Sequence, residues 1–263
     1  MTAPSSSTPS TCSWWHAGGV EGADLSGRLL LEYDGTDFAG WARQPGYRTV
    51  QEVLEQGLAQ VLGREVALTV AGRTDAGVHA LGQVASHAGE PASAWALNGV
   101  LPKDLRVLAS DPAPAGFDAR RDARSRTYRY RILTRQTASP FERGRALHWR
   151  HALDRTALDE CAAALIGTHD FTAFTPTQTE HVHFRRHVFR AEWTRAEEHV
   201  LELWLEADSF MRRMVRILVG TMLAVAGGRM ERECFDELLL GAPRIEAGDT
   251  AAACGLYLEH VSY

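Results

Sequence analysis

Along most of the chain, apolar and polar positions recur with a readable period. Residues 28 to 33 (RLLLEY) read as a strand leading into DGTDFAGWARQ, residues 34 to 44, a glycine-punctuated loop carrying Phe38 and Trp41. A helix follows, because Thr49 and Glu52 form a capping-box pattern, Val50, Val53, Leu54, Leu58, Val61 and Leu62 fall at helical spacing, and Gly63 stands at its stop. Strands are predicted over 66–71 and 83–87, a short helix over 93–100 and a strand over 105–108. In the second half, RTYRYRIL (126–133) alternates, with Tyr128, Tyr130 and Ile132 on one face and Arg129 and Arg131 on the other. Asp154 caps a predicted helix running to Ile166 and closing at Gly167. Strands at 184–193 and 200–207, a long helix from about Met211 to Ala226, a helix over 231–240 and a last strand over 256–260 complete the reading.

This order predicts an α+β fold with a mixed, mostly antiparallel sheet. Two similar α+β halves build it, with helices on one face and an active-site cleft between the halves. The expected divisions are a disordered tail over 1–25, rich in Ser, Thr, Pro and Gly but holding Trp14 and Trp15, an N-terminal half over 26–118 and a C-terminal half over 119–263.

Composition adds limits. The 263 residues are 45% hydrophobic, ample for a sizeable interior. The four cysteines (Cys12, Cys161, Cys234, Cys254) lack CxxC pairing, so neither structural zinc nor a disulfide framework is expected, and a reducing cytoplasm fits. No apolar run is long enough to span a membrane, and no signal peptide is expected at the N-terminus. Phosphate-loop, GxGxxG and GxSxG patterns do not occur, which disfavours a nucleotide cofactor and serine hydrolysis.

Net charge is −5, yet residues 120 to 155 hold eleven arginines against Asp122, Glu142 and Asp154, a balance of +8 that leaves −13 on the remainder. Such a block predicts a patch for a phosphate backbone.

Chemistry is expected at GRTDAGVHALGQ, residues 72 to 83. Asp75 sits there on a glycine-bounded turn between two predicted strands, with Arg73 two residues away. On composition alone the same Asp could merely accept turn hydrogen bonds. FMRRMVR places Arg212 and Arg216 four residues apart on one predicted helix face, adjoining an apolar face of Met211, Met214, Val215, Leu218 and Met222. A buried arginine there needs a carboxylate, and Asp75 is a candidate, whereas a solvated basic face of Arg212, Arg213 and Arg216 needs none. Tyr128 could be core or a stacking surface for a base. His181, His183 and His187 raise a metal site, but no acidic or Cys partner is spaced to complete one, so none is expected.

GRTDAGVHALGQV resembles the signature of the tRNA pseudouridine synthase A family. LEYDGTDFAGWARQ, TVQ, ALNGVLP, FDARRDARSRTYRY, GTHDFTAF, FMRRMVRILVGTM and GLYL match in order, covering about residues 28 to 260. The family often has TAPA where residues 250 to 253 read TAAA. The resemblance implies a cytoplasmic, homodimeric isomerase, free of metal and cofactor. It would convert uridine to pseudouridine at positions 38, 39 and 40 of the tRNA anticodon stem-loop, moving the glycosidic bond from N1 to C5.

By the same resemblance, Asp75 is the catalytic nucleophile and Arg216 its salt-bridge partner. Tyr128 stacks on the target base and serves as a general base, Arg73 helps extrude the base, and Leu256 lines the pocket. Arg120, Arg126, Arg212 and Arg213 are expected to bind the substrate. Asp75 should then lie buried in a cleft, within reach of an arginine, with Tyr128 facing the same space. Two rival functions remain at this stage: a glycosidic-bond hydrolase pairing Asp75 with Asp34 or Asp37, and a tRNA-binding protein without catalysis.

Overall fold

The structure, a computed structural model, describes residues 25–179 and 181–263. The expected tail, with Trp14, Trp15 and Cys12, therefore lies outside the described residues save for Leu25. In chain order the elements are β1 (Ser26–Tyr33), α1 (Val50–Leu62), β2 (Thr69–Val70), β3 (His79–Ala88), α2 (Ala94–Val100), β4 (Leu105–Ala113), β5 (Ser125–Leu133), β6 (Leu147–His148), α3 (Arg155–Ala164), β7 (Gly167–Asp170), β8 (Arg185–Glu197), β9 (Val200–Ala207), α4 (Met214–Ala226), α5 (Arg232–Leu238) and β10 (Leu256–Ser262).

Among the described residues, all ten strands join one sheet in the order β4-β1-β3-β10-β5-β9-β8-β7, with β2 on β3 and β6 on β5. Pairing is antiparallel except for β10 with β3 and β5 with β6, so the expected mixed, mostly antiparallel α+β fold holds. The C-terminal strand β10 inserts between β3 and β5, pairing with β3 at only Tyr257↔His79 and Leu258↔Ala80. A short parallel seam thus joins the N-terminal strands to the C-terminal ones, beside the start of β3. One hydrophobic cluster crosses it, running from Leu29, Leu54 and Leu97 to Leu218, Met222 and Phe235. A cluster common to both sides makes the seam part of one core.

The caps read from the sequence are present. Thr49 accepts from the Glu52 amide at the start of α1, and Asp154 accepts from Thr156 and Ala157 at the start of α3. Several boundaries moved for identifiable reasons. Only Thr69 and Val70 of the strand expected over 66–71 pair, because the Leu68 amide turns to the Glu55 carboxylate at 3.3 Å. Strand β3 starts at His79 rather than Gln83, so the second half of the motif is itself strand. Strand β4 runs on to Ala113 through Pro112, which is tolerated because β4 is an edge strand.

The largest change concerns the long helix. Arg213 takes a left-handed backbone, φ 61°, and α4 begins only at Met214. Arg212 and Arg213 are therefore exposed on the turn before the helix, and Arg212 does not share a helix face with Arg216.

Candidate active site

The loop from Ala71 to Val78 links β2 to β3 and carries Asp75 above the seam. Three sets of contacts hold it. From the DGTDFAGW segment, the Trp41 amide donates to the Thr74 carbonyl at 3.0 Å, and Phe38 accepts from the Gly77 amide at 3.3 Å. The approach needs glycine. Gly40 has φ +93°, and a Cβ on Gly35 would fall 2.0 Å from the Val78 carbonyl oxygen.

Below the loop, buried Gln83 donates to the Gly72 carbonyl at 2.7 Å and to the Tyr33 hydroxyl at 3.2 Å. The Tyr33 and Thr74 hydroxyls lie 2.8 Å apart. Burial pushes the Tyr33 phenol up to about 12, outweighing the hydrogen bonds that lower it, so it keeps its proton. From the C-terminal side, Arg126 donates to the Ala71 carbonyl from Nε at 3.2 Å and Nη2 at 3.0 Å.

Arg216, the third residue of α4, reaches back to the loop. Its Nη1 lies 3.0 Å from Asp75 Oδ2, and its Nε donates to the Ala251 carbonyl at 2.8 Å. The Ala251 amide in turn donates to the Arg216 carbonyl at 3.0 Å. The side chains are 15% exposed for Arg216 and 21% for Asp75, so solvent reaches both partners of the pair. Asp75 is half-buried, less enclosed than the sequence led us to expect.

Tyr128 is buried on β5, its ring edge-on to Phe210 at 5.0 Å and 82°. Its hydroxyl makes no hydrogen bond among the described residues, and it lies 3.4 Å from where a Gly72 Cβ would stand. Burial foremost, then the charges of Tyr33 and Asp75, raise its pKa. A phenol so biased stays protonated, which argues against the general-base role implied for it and leaves a ring and a donor.

Leu256 is buried at the start of β10, opposite Tyr130. The segment leading to it is fixed by Arg216 on Ala251 and by the Tyr130 hydroxyl, which donates to the Ala252 carbonyl at 2.7 Å.

The arginines divide sharply. Arg73, Arg120, Arg212 and Arg213 are exposed, and their side chains have no ion-pair or hydrogen-bond partner among the described residues. Four of the eleven arginines in the 120–155 block are instead paired with carboxylates. Strand alternation aims Arg129 at Glu202 and Glu259 (2.7 and 2.6 Å) and Arg131 at Glu142 and Glu202 (2.9 and 3.2 Å), while Arg121 and Arg155 pair with Asp122 and Asp159. The basic patch expected there is thus smaller than the segment's net charge suggests, because Glu202, Glu259 and Asp159 come to it from outside the block. Arg126 is not open to substrate, since its guanidinium is buried on backbone carbonyls.

Other candidates fall elsewhere. His187 bonds Thr168 at 2.8 Å, and no group of three or more His, Cys, Asp or Glu among the described residues is placed to hold a metal. No helix among them is long and apolar enough to cross a membrane. Asp34 spends Oδ1 on the Thr36 amide and hydroxyl and lies 3.2 Å from His79. A cavity of about 400 Å³ beside it, lined by Asp37, Asp104, Arg143 and Arg145 among others, includes none of Asp75, Tyr128 or Arg216.

A family model described as tRNA pseudouridine synthase matches residues 30–117 and 161–263. The chain belongs to this family. Its members isomerise uridine to pseudouridine, so the chain is an isomerase, and neither rival function is favoured. Proteins named tRNA pseudouridine synthase A are 46% identical to it in Frankia casuarinae, over 90% of this chain and 88% of that one, and 40% identical in Myxococcus xanthus, over 90% and 91%. The Streptomyces griseus protein of the same name is 41% identical, over 90% and 87%.

The positioning residues Tyr33, Thr74, Gln83 and Phe210 were not singled out from the sequence. A buried-strand pattern interrupted by a glutamine, as at Gln83, was the available signal.

Proposed function

We propose that the chain isomerises uridine at positions 38, 39 and 40 of the tRNA anticodon stem-loop, with Asp75 as the nucleophile that opens the glycosidic bond. The observation that carries this is the half-buried Asp75–Arg216 pair, whose carboxylate is near enough to the Tyr128 phenol for its charge to raise that group's pKa. Arg216 holds the carboxylate in one orientation while sparing an oxygen, Oδ1, for the ribose. Tyr128 offers a face for the extruded uracil and a protonated hydroxyl for one of its carbonyls, and Leu256 closes the pocket on the β10 side.

Arg73 fills the gap that the base leaves in the stack. Arg120, Arg212 and Arg213 carry the free charge for neighbouring phosphates. Recognition by shape rather than sequence suits an enzyme serving adjacent positions. On this reading the protein acts in the cytoplasm as a homodimer, where two sets of unpaired arginines offset a net charge of −5. Bound tRNA would be treated with a carbodiimide that marks pseudouridine, and the marks mapped by reverse transcription. Marks confined to positions 38 to 40 support the proposal, and marks elsewhere, or strand cleavage, contradict it.

A further inference from the structure

Arg126 was expected to touch substrate, but the structure gives all five of its N–H groups to backbone. Nε donates to Ala71 O at 3.2 Å, Nη1 to Ala123 O at 3.1 Å and Asp208 O at 2.8 Å, and Nη2 to Ala71 O at 3.0 Å and Arg120 O at 2.8 Å. The residue is 7% exposed and forms no ion pair among the described residues. Burying an unpaired cation is unfavourable, and this one is tolerated because no donor is left unmet.

The four carbonyls identify what is being joined. Ala71 begins the loop that holds Arg73 and Asp75. Arg120 and Ala123 belong to the turn that exposes Arg120. Asp208 follows β9 and opens the segment through Phe210, Arg212 and Arg213 to Arg216. Arg126 itself lies two residues before Tyr128 on β5, so the two side chains share a face. Every segment that supplies a group to the site ends on this guanidinium, save the one that enters β10.

We infer that Arg126 is a positioning residue, a five-bond joint that sets the Asp75 loop, the Arg120 turn and the approach to Arg216 in fixed relation around Tyr128. Only a planar guanidinium can do this. Lysine has three donors on one atom and cannot span carbonyls on opposite sides of a fork. The inference rests on the proposed roles of Asp75, Tyr128 and Arg216, but its structural half can be read without activity.

The test compares Arg126→Lys with wild type and with Leu97→Ala, a core change in α2 that lowers stability away from the site. Amide hydrogen exchange should speed up in residues 71–76 and 208–214 of Arg126→Lys, while α1 and α3 keep wild-type protection. The single-turnover rate at saturating tRNA should fall roughly 100-fold, as expected when reacting groups are displaced by about an ångström. Leu97→Ala should keep its rate per folded molecule.

Uniformly faster exchange in Arg126→Lys, failure of that variant to fold, or an unchanged rate alongside a lower Tm would each overturn the inference, marking the residue as a general support of the fold. Localised exchange in Arg126→Lys together with an inactive wild type would instead sink the proposed reaction and leave the joint standing.

Discussion

Arg216 is shared between Asp75 and the chain that leads into β10: Nη1 donates to the carboxylate and Nε to the Ala251 carbonyl. Lysine could serve one partner but not both. A hydrogen bond to a charged group is worth about 1.5–3 kcal/mol, so Arg216→Lys should lower kcat/KM roughly 10- to 100-fold. Arg216→Ala should lose more, because it leaves Asp75 without its counter-charge. Steady-state kinetics of both variants check this, and full activity in Arg216→Lys would contradict it.

Tyr128→Phe separates the ring from the hydroxyl. Because that hydroxyl has no partner among the described residues, the variant should fold with an almost unchanged Tm and bind tRNA normally. Its turnover should nevertheless fall, by about tenfold if the hydroxyl donates one hydrogen bond to the base. Tyr128→Ala should lose binding as well as turnover, since it removes the stacking surface.

Arg213 is the one non-glycine residue with positive φ among those described. The left-handed region costs a side-chain-bearing residue roughly 1–2 kcal/mol, so Arg213→Gly should raise stability even though it removes a charge. The same variant should bind tRNA more weakly, with the slope of log K against log salt reduced by about one. Thermal melts and binding titrations at several salt concentrations give both quantities.

Stability should decline at both ends of the pH scale. Burial raises the pKa of Tyr33, Tyr128, Tyr130 and Tyr263 above the ordinary 10.0. For such groups the unfolded chain loses protons first, so their contribution is intact below pH 10 and is lost as pH rises past it. On the acid side, burial lowers the pKa of His79 and His87 below 6.5, outweighing for His79 the nearby Asp34 carboxylate. The unfolded chain then binds protons that the folded one refuses, and stability falls as pH drops below 6.5.

His79 shows why the neutral form is required. Its Nδ1 accepts from the Gly35 amide at 3.0 Å, so the proton is on Nε2 and is donated to the Gly144 carbonyl at 2.8 Å. Denaturant titrations from pH 4 to 11 should give a dome. A flat acid limb would contradict the assignment for the histidines.

The fold class, the main helices and their caps could be read from the sequence because they depend on local periodicity and on residues three or four apart. Asp75, Tyr128 and Arg216 were legible for another reason, a set of motifs shared with a family. What escaped was long-range. Nothing near residue 260 announces that β10 will insert beside β3, and nothing near Arg213 announces a left-handed residue that delays α4.

The arginine block was legible only in part, because net charge along a segment ignores partners brought in from elsewhere. Glu202 lies more than 70 positions from Arg129, and it pairs with that residue only because β9 adjoins β5. Arg126 looked like one more cation for the same reason.

The central claim is that the half-buried carboxylate of Asp75 carries out the isomerisation. Moving the glycosidic bond to C5 releases the hydrogen at that carbon, so tRNA tritiated at C5 of uridine reports the reaction directly. Wild-type protein should release tritium, while Asp75→Asn, which keeps the size of the side chain and a contact to Arg216, should bind the same tRNA and release none above background. Release by Asp75→Asn at the wild-type rate, or none by the wild type, would contradict the account.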